Sequence, residues 1–233
     1  MRNRLWTVAL ATSSVLLSQL PSLAHADTWD LDPAHSSITF AVKHLGVSTV
    51  RGSFSGIIGT GEYDEKDVQK SSVNIEVAAQ SIQSGNAKRD EHLKSADFFD
   101  ATAHPKIAFK STKVEKKGKG FNLYGELTIK DITKPVTLKV EEMSKPVKDP
   151  YGNWTIAAAG GTKINRKDWG LNWNKALEAG GVLVGEEVSL QIEVEFNKRA
   201  TPAVAADTTK KADEAKPAPA APAKPEPGKK DTH

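Results

Sequence analysis

The apolar residues of this chain recur with a period of two, and this feature most constrains its fold. The clearest case is the segment 187–196, in which five apolar residues alternate with polar ones: Val188, Leu190, Ile192, Val194 and Phe196. Successive side chains of a β-strand point to opposite sides of the sheet, whereas a helix repeats about every 3.6 residues. The alternation therefore predicts a strand with one apolar and one polar face.

The same period recurs along most of the chain. It predicts further strands in the segments 38–44, 50–58, 73–77, 107–109, 121–129, 136–140 and 154–164. Short links such as 117–120, Lys134-Pro135 and 149–153 contain turn residues, and strands with one polar face are typical of antiparallel sheets. The stretch 86–100 is the exception and predicts a short helix followed by a turn. An all-β fold of about eight antiparallel strands is expected.

Eight such strands can form a two-sheet sandwich or a closed barrel. Four glycines lie inside predicted strands: Gly52, Gly56, Gly125 and Gly160. Glycines at such positions allow the sharp curvature that a barrel needs. The pattern favours the barrel and leaves the sandwich as the alternative.

Both ends of the chain differ from this core. Residues 1–26 have a basic start, an apolar run from Leu5 to Leu17, and small residues at Ala24 and Ala26, which predicts a signal peptide and a periplasmic protein that begins at Asp27. Residues 200–233 are rich in Ala, Pro and Lys and contain no aromatic residue, which predicts a disordered tail. We expect one domain over residues 27–199, with no membrane anchor.

Charge and cysteine content exclude several classes of function. The chain has 32 basic and 29 acidic residues; without the signal's two arginines and the tail's six lysines and five acids, 24 of each remain. A balanced core argues against nucleic-acid binding, which requires a basic face. The chain has no cysteine, so it has no disulfide and no thiol chemistry.

No catalytic motif is apparent. The segment 52–56 has the glycine spacing of a nucleophile elbow, but Phe54 stands where the serine is required. Zinc can be held by three histidines, and His35, His44 and His92 or His104 are available, although their spacing is not diagnostic. A metal-dependent enzyme using these histidines is the alternative to a binding protein.

The segment 164–173 is the densest in polar and aromatic groups. Arg166 or Lys167 can meet an anionic or carbonyl head group while Trp169 and Trp173 line an apolar mouth. In the competing interpretation, Arg166 pairs with Asp168 to fix a loop, and the indoles cover the core.

Several motifs, taken in order, resemble the YceI-like family. They are 29–32 with His35-Ser36, His44-Leu45, 92–100, Gly125–Ile129, Ile132–Val136, 165–170 and 184–188. Together they span the core and none of the tail. The sequence departs from the family at Asp131, where glycine is expected in the turn, and in the tail.

The resemblance implies a lipocalin-like eight-stranded antiparallel barrel in the periplasm, in some relatives a homodimer. Its interior is implied to bind a polyisoprenoid, such as a prenyl quinone or polyprenyl pyrophosphate, or another long amphiphile. No enzymatic activity and no cofactor or metal are implied. The expected lipid-binding residues are Phe40, Val42, His44, Phe54, Ile75, Val77, Phe98, Phe99, Ile107, Phe109, Leu123, Leu127, Ile129, Leu138 and Ile156. The expected head-group residues at the mouth are Asn165, Arg166, Asp168 and Trp169.

Overall fold

The structure is a computed structural model that describes residues 26–178 and 180–200. The predicted signal peptide and tail lie outside the described residues, apart from Ala26 and Ala200. The described part contains twelve strands and one α-helix: β1 (Asp27–Leu31), β2 (Ser37–His44), β3 (Ser48–Phe54), β4 (Ile57–Tyr63), β5 (Ser72–Ala78), β6 (Ile82–Gln83), α1 (Ala87–Lys94), β7 (Lys106–Lys117), β8 (Gly120–Ile129), β9 (Ile132–Met143), β10 (Val147–Lys148), β11 (Trp154–Asn165) and β12 (Val184–Lys198).

Eight of these strands close into a barrel, which confirms the favoured architecture over the sandwich. The ring runs β11, β9, β8, β7, β5, β4, β1 and β12, and β12 pairs with β11 to complete it. Every neighbouring pair in the ring is antiparallel. Strands β1 and β2 pair with the same edge of β12, β1 near its C-terminal end and β2 with the rest. Strand β3 pairs with β2. The closing pair, β11 and β12, has the longest paired register of the ring, from Thr155 opposite Asn197 to Asn165 opposite Glu187.

The predicted strand 50–58 is wrong in its second half, because the chain breaks at Ser55-Gly56 into β3 and β4. Here the backbone N–H of Ile57 donates to the carbonyl of Ser55. The break shifts the alternation by one residue. Ile57 becomes one of the most buried side chains and Ile58, expected to face inward, is 61% exposed. A one-residue shift sends every later side chain of a strand to the other face.

The turn between β8 and β9 also differs from the expectation. It lies at Lys130 and Asp131, which both have positive φ (49° and 63°), while Lys134-Pro135 lies inside β9. Two central residues of positive φ define the tight hairpin turn that suits the twist of the flanking strands. Positive φ favours glycine, the residue that the family resemblance implies at position 131, but Asp131 adopts it here. The Asp131 carboxylate lies 2.9 Å from Nδ1 of His104.

The predicted helix is confirmed as α1, which begins after Asn86, whose side chain accepts a hydrogen bond from the Arg89 N–H. A turn-rich segment follows it and carries Phe98 and Phe99 toward the barrel interior. The helix has eight residues, and no helix of the described ranges is long and apolar enough to cross a membrane.

Two strand glycines lie beneath aromatic rings and allow them to pack inside the barrel. Gly52 stands opposite Phe40 in the β2–β3 register, and a Cβ built on it would collide with that ring. Gly125 is covered by Phe109, and an added Cβ would also lie 2.6 Å from the carbonyl oxygen of Lys110. Covering a strand glycine with an aromatic ring fills the space that its missing side chain leaves.

Replacing Gly125 with alanine is therefore expected to destabilise the barrel by about 1–3 kcal/mol, because neither the Phe109 ring nor the backbone oxygen can move freely. Urea unfolding followed by circular dichroism measures the change. Glu126→Ala, at the exposed next position, is the matched control and should leave the midpoint nearly unchanged. Equal midpoints for the two variants would contradict this packing.

Candidate functional site

The barrel encloses a cavity of about 320 Å³. Every strand of the ring contributes residues to its wall, and most of these residues are aliphatic or aromatic. The inward residues of β12 are only half-buried although they point away from solvent: Val188, Leu190, Ile192 and Val194. In a barrel filled by its own side chains such positions are close-packed. Their remaining accessible surface faces the cavity, so the barrel is hollow.

Most of the residues expected to bind lipid line this cavity. They are Phe40, Val42, Phe54, Ile75, Val77, Phe98, Phe99, Ile107, Phe109, Leu123, Leu127, Ile129, Leu138 and Ile156. His44 is the exception and is not part of the wall. It is the last residue of β2, and the chain turns at Leu45 and Gly46, both of positive φ, so the inward alternation ends before it.

A large part of the wall was not predicted from the sequence, including the inward face of β12 and one residue each of β1 and β2. The main omissions are Trp29, Ile38, Val136, Val140, Val188, Leu190, Ile192, Val194 and Phe196. The signal was present, because β12 has the most regular alternation in the chain. Trp29 had no such signal, since β1 is too short to show a period.

Arg166 is the only charged side chain that is buried among the described residues, with 4% of its surface exposed. It begins a 3-10 helix, Arg166–Trp169, directly after β11. Its Nε donates to the carbonyl of Gly185 at 2.9 Å, Nη2 to that of Val184 at 3.3 Å, and Nη1 to that of Leu171. Burial lowers the pKa of the guanidinium, and the Glu186 carboxylate partly opposes this.

The three backbone bonds correct the expectation that Arg166 pairs with Asp168. Arg166 does fix a loop, but it does so through carbonyl oxygens and not through Asp168, whose nearest cation is Lys134 at 3.8 Å. A guanidinium has five N–H donors, so three bonds leave two donors over. Arg166 also contributes to the cavity wall.

The other three residues expected at the mouth do not line the cavity. Asn165 is exposed and accepts a hydrogen bond from the Lys167 N–H, and Asp168 faces solvent. Trp169 is 2% exposed and donates from Nε1 to the carbonyl of Leu127 at 3.0 Å. These residue types are typical of a polar mouth, but Asn165 and Asp168 face solvent, and Trp169 is buried against β8.

The two ends of the cavity differ in character. At the helix end, which contains α1, residues 95–105, 166–178 and 180–183, the lining includes the buried Phe98 and Leu171. At the hairpin end, which contains the links 64–71, 118–119 and 144–153, it includes the half-buried Glu62 and Ser71 and the exposed Ser72. Buried apolar side chains and Arg166 line the cavity at the helix end, whereas Glu62, Ser71 and Ser72 border it at the hairpin end.

The four core histidines do not converge. His92 Nε2 lies 2.8 Å from the Asp97 carboxylate and His104 pairs with Asp131, so each has a separate partner. Over residues 26–178 and 180–200, the one group of three possible metal ligands is Asp32, His35 and Glu195, with a single histidine. The three-histidine set of the alternative interpretation is therefore not assembled.

His35 joins the β1–β2 bend to β12. Its Nδ1 lies 3.0 Å from the Asp32 carboxylate and 3.7 Å from that of Glu195. The hydrogen bond to Asp32, with the charges of Asp32 and Glu195, raises the pKa of His35 above its ordinary 6.5. The His35 ring in turn is the main cause that lowers the pKa of Asp32 below 3.8.

These shifts predict a pH-dependent contribution to stability. A histidine whose folded pKa is raised stabilises the fold below its ordinary pKa, and this contribution is lost as the pH rises through the raised value. The Asp32 contribution is present above its ordinary pKa and is lost only when the pH falls through the lowered value. Between about pH 6 and 8, the unfolding midpoint should fall more in the native protein than in His35→Gln. Parallel midpoint curves for the two proteins would contradict the contact.

Comparison with known proteins agrees with the family resemblance of the sequence motifs. The sequence model of the YceI-like domain family matches residues 29–196. A UPF0312 protein of Vibrio parahaemolyticus is 37% identical over 164 residues, which are 69% of this chain and 86% of that protein. The match therefore covers almost the whole barrel.

Two solved structures share the fold. BcnA of Burkholderia cenocepacia superposes with a TM-score of 0.62 at 22% identity, covering 71% of this chain and 99% of BcnA. A polyisoprenoid binding domain from Saccharophagus degradans, implicated in plant cell wall breakdown, gives a TM-score of 0.51 at 12% identity, covering 73% of this chain and 98% of the domain. At these identities the likeness concerns the fold alone.

Proposed function

We propose that this chain, which belongs to the YceI-like domain family, is a periplasmic binding or carrier protein for a long-chain polyisoprenoid, such as a prenyl quinone or polyprenyl pyrophosphate. The observation that carries the proposal is the hollow, apolar cavity inside the barrel. The S. degradans domain, which is named for binding polyisoprenoids, supports it by having the same fold.

The energy of binding is proposed to come from the chain of the lipid. At ~0.8 kcal/mol per buried CH₂, each five-carbon isoprene unit contributes roughly 3–4 kcal/mol. About four units then offset an association cost on the order of 4–15 kcal/mol. A hydrocarbon chain cannot form hydrogen bonds, so it suits a site with few unpaired polar groups. Among the described residues, Trp29 Nε1 is the only buried side-chain nitrogen or oxygen without a hydrogen-bond partner. A cavity of about 320 Å³ lies within the usual range for ligand sites, about 300–1,000 Å³.

Arg166, which lines the cavity at the helix end, is proposed to bind a polar group of the ligand. Its charge has no carboxylate within salt-bridge distance, and two of its N–H donors remain after the backbone bonds. An oxygen acceptor on the lipid, such as a quinone carbonyl or a phosphate, fits these donors. We propose that the chain provides most of the affinity and that Arg166 selects among head groups.

Entry is proposed at the hairpin end, because Glu62, Ser71 and Ser72 border the cavity there. Phe98 and Leu171 close the helix end. The periplasmic location is proposed from residues 1–26 of the sequence. The proposed function requires no catalytic step, and His35, His92 and His104 each have a separate carboxylate partner.

Titration of delipidated protein with prenyl quinones of increasing chain length tests the proposal. Quenching of tryptophan fluorescence should saturate at one ligand per protein, and the affinity should rise with each isoprene unit until the cavity is full. A quinone with the same ring and no chain is the matched control and should bind weakly. No quenching by any chain length, or equal quenching by the chainless quinone, would contradict the proposal.

A further inference from the structure

The link between β9 and β11 forms a rigid hairpin that exposes apolar side chains. Three of these are strongly exposed: Val147 at 60%, Tyr151 at 90% and Trp154 at 44%. In the β10–β11 register Lys148 stands opposite Trp154 and shares its face, whereas Val147 stands opposite Thr155 on the other face. We call these three exposed residues of one short hairpin the hairpin patch. Isolated exposed apolar residues are common, but a cluster of them with two aromatic rings points to an interaction surface.

The turn that presents Tyr151 is fixed by Asp149. Its Oδ1 accepts hydrogen bonds from the N–H groups of Tyr151 and Asn153, both at 2.8 Å, and its Oδ2 accepts one from Asn153 Nδ2 at 2.9 Å. The bond from the Asn153 side chain is the main cause that lowers the pKa of Asp149. The carboxylate is thus occupied by the turn, and Tyr151 is held outward at its tip.

Lysines accompany the patch at the same end of the barrel. The β7–β8 hairpin reaches this end because β8 runs antiparallel to β9, with Phe121 opposite Val140. Residues 113–120 and 144–154 together carry six lysines against two acids, Glu115 and Asp149, and residues 64–71 at the same end add two lysines and three acids, which leaves an excess of three lysines. Glu115 accepts a hydrogen bond from Tyr124 and lies 3.5 Å from Lys113. The exposed lysines of the first two segments are Lys113, Lys116, Lys117, Lys119, Lys145 and Lys148.

We propose that the hairpin end docks on the surface of a bilayer that contains anionic phospholipid. Tyrosine and tryptophan prefer the membrane–water interface, where the ring is buried and the polar atom stays hydrated. Lysines add attraction to the negative lipid surface, and this attraction weakens with salt. Charge complementarity thus favours a lipid surface, and the patch lies at the end where the cavity is bordered by polar residues.

This inference concerns a surface and not the cavity, so it can fail while the proposed lipid binding holds, and the reverse also applies. Vesicle flotation tests it directly with the full chain. Vesicles of equal parts phosphatidylethanolamine and phosphatidylglycerol should carry the protein at low salt, and phosphatidylcholine vesicles should carry at least about tenfold less. Tyr151→Ser with Trp154→Ser should reduce binding about tenfold or more, and so should the triple change Lys116→Gln, Lys117→Gln and Lys119→Gln.

Val47→Ser is the matched control, because Val47 is 80% exposed at the opposite end of the barrel. It should bind as the native protein does. The single change Tyr151→Ser keeps the test valid if the Trp154 change impairs folding, since the Tyr151 side chain is almost free of contacts. Equal binding by all variants, binding that ignores lipid charge, or a dimer that the Tyr151→Ser change dissociates without any vesicle binding would overturn the proposal.

Discussion

Leu190→Glu is expected to abolish lipid retention while the barrel remains folded. Leu190 points into the cavity between Phe40 of β2 and Thr162 of β11, and its side chain is only half-buried. The glutamate can stay hydrated while the cavity is empty. A bound hydrocarbon chain would strip that water, and burying an unpaired charge costs several kcal/mol. A loss of about 3 kcal/mol corresponds to roughly a hundredfold in affinity.

The control is the next residue on the same strand. Gln191→Glu introduces the same charge at an exposed position on the outer face of β12, and it should leave the affinity for a prenyl quinone unchanged. Both variants are compared in the fluorescence titration, with circular dichroism to establish folding. Equal affinities for the two variants would mean that the lipid does not occupy the barrel interior.

Arg166→Ala is expected to have the opposite profile, with a large loss of stability and a smaller loss of affinity. The change removes three hydrogen bonds to the carbonyls of Leu171, Val184 and Gly185. Those buried oxygens lose their charged donor, which costs about 3–5 kcal/mol of unfolding free energy. Prenyl-quinone affinity of the folded protein should fall less than in Leu190→Glu, because the chain contacts are retained.

Urea unfolding measures this loss, and Lys167→Ala is the neighbouring control. Lys167 is exposed and pairs with Glu186 at 2.5 Å, a surface contact worth about 0–1 kcal/mol. Similar midpoints for Arg166→Ala and Lys167→Ala would show that the buried guanidinium does not support the fold. An affinity loss in Arg166→Ala equal to that in Leu190→Glu would instead make the head group the main source of binding energy.

The sequence predicts the barrel well because the period of two is a direct consequence of one apolar face. Each of the eight predicted segments contains a strand, and the helix formed where the alternation stopped. However, β1 and residues 59–63 of β4, which belong to the closed ring, were not predicted, while β2 and β3, which were, lie outside the ring. The other failures are local. Ile57 and Ile58 exchange faces because the break at Ser55-Gly56 comes from a backbone hydrogen bond, which leaves no periodic signal. The turn residues suggested a link at Lys134-Pro135, whereas the turn lies at Lys130-Asp131, neither of which is glycine, and only the family resemblance indicated a turn there.

The cavity wall was predictable for the same reason as the strands, whereas the polar residues near it were not. Periodicity places Leu127 and Ile156 inside but cannot show whether the interior is filled or hollow. Arg166 was identified as important from its neighbours, but its partners come from residues 171–185, and three carbonyl oxygens carry no residue-type signal. Asn165, which caps the 3-10 helix, and Asp168, which lies within it, are both exposed and do not line the cavity.

Mass spectrometry of an organic extract is the most direct test of the central claim, that the barrel of this protein encloses a hydrocarbon chain. The protein is purified without detergent from cells that export it, and the extract is compared with that of Leu190→Glu prepared in the same way. We predict about one long-chain isoprenoid per native protein and almost none in the variant. An extract of the native protein without any long-chain lipid, or the same lipid at the same ratio in both preparations, would contradict the claim.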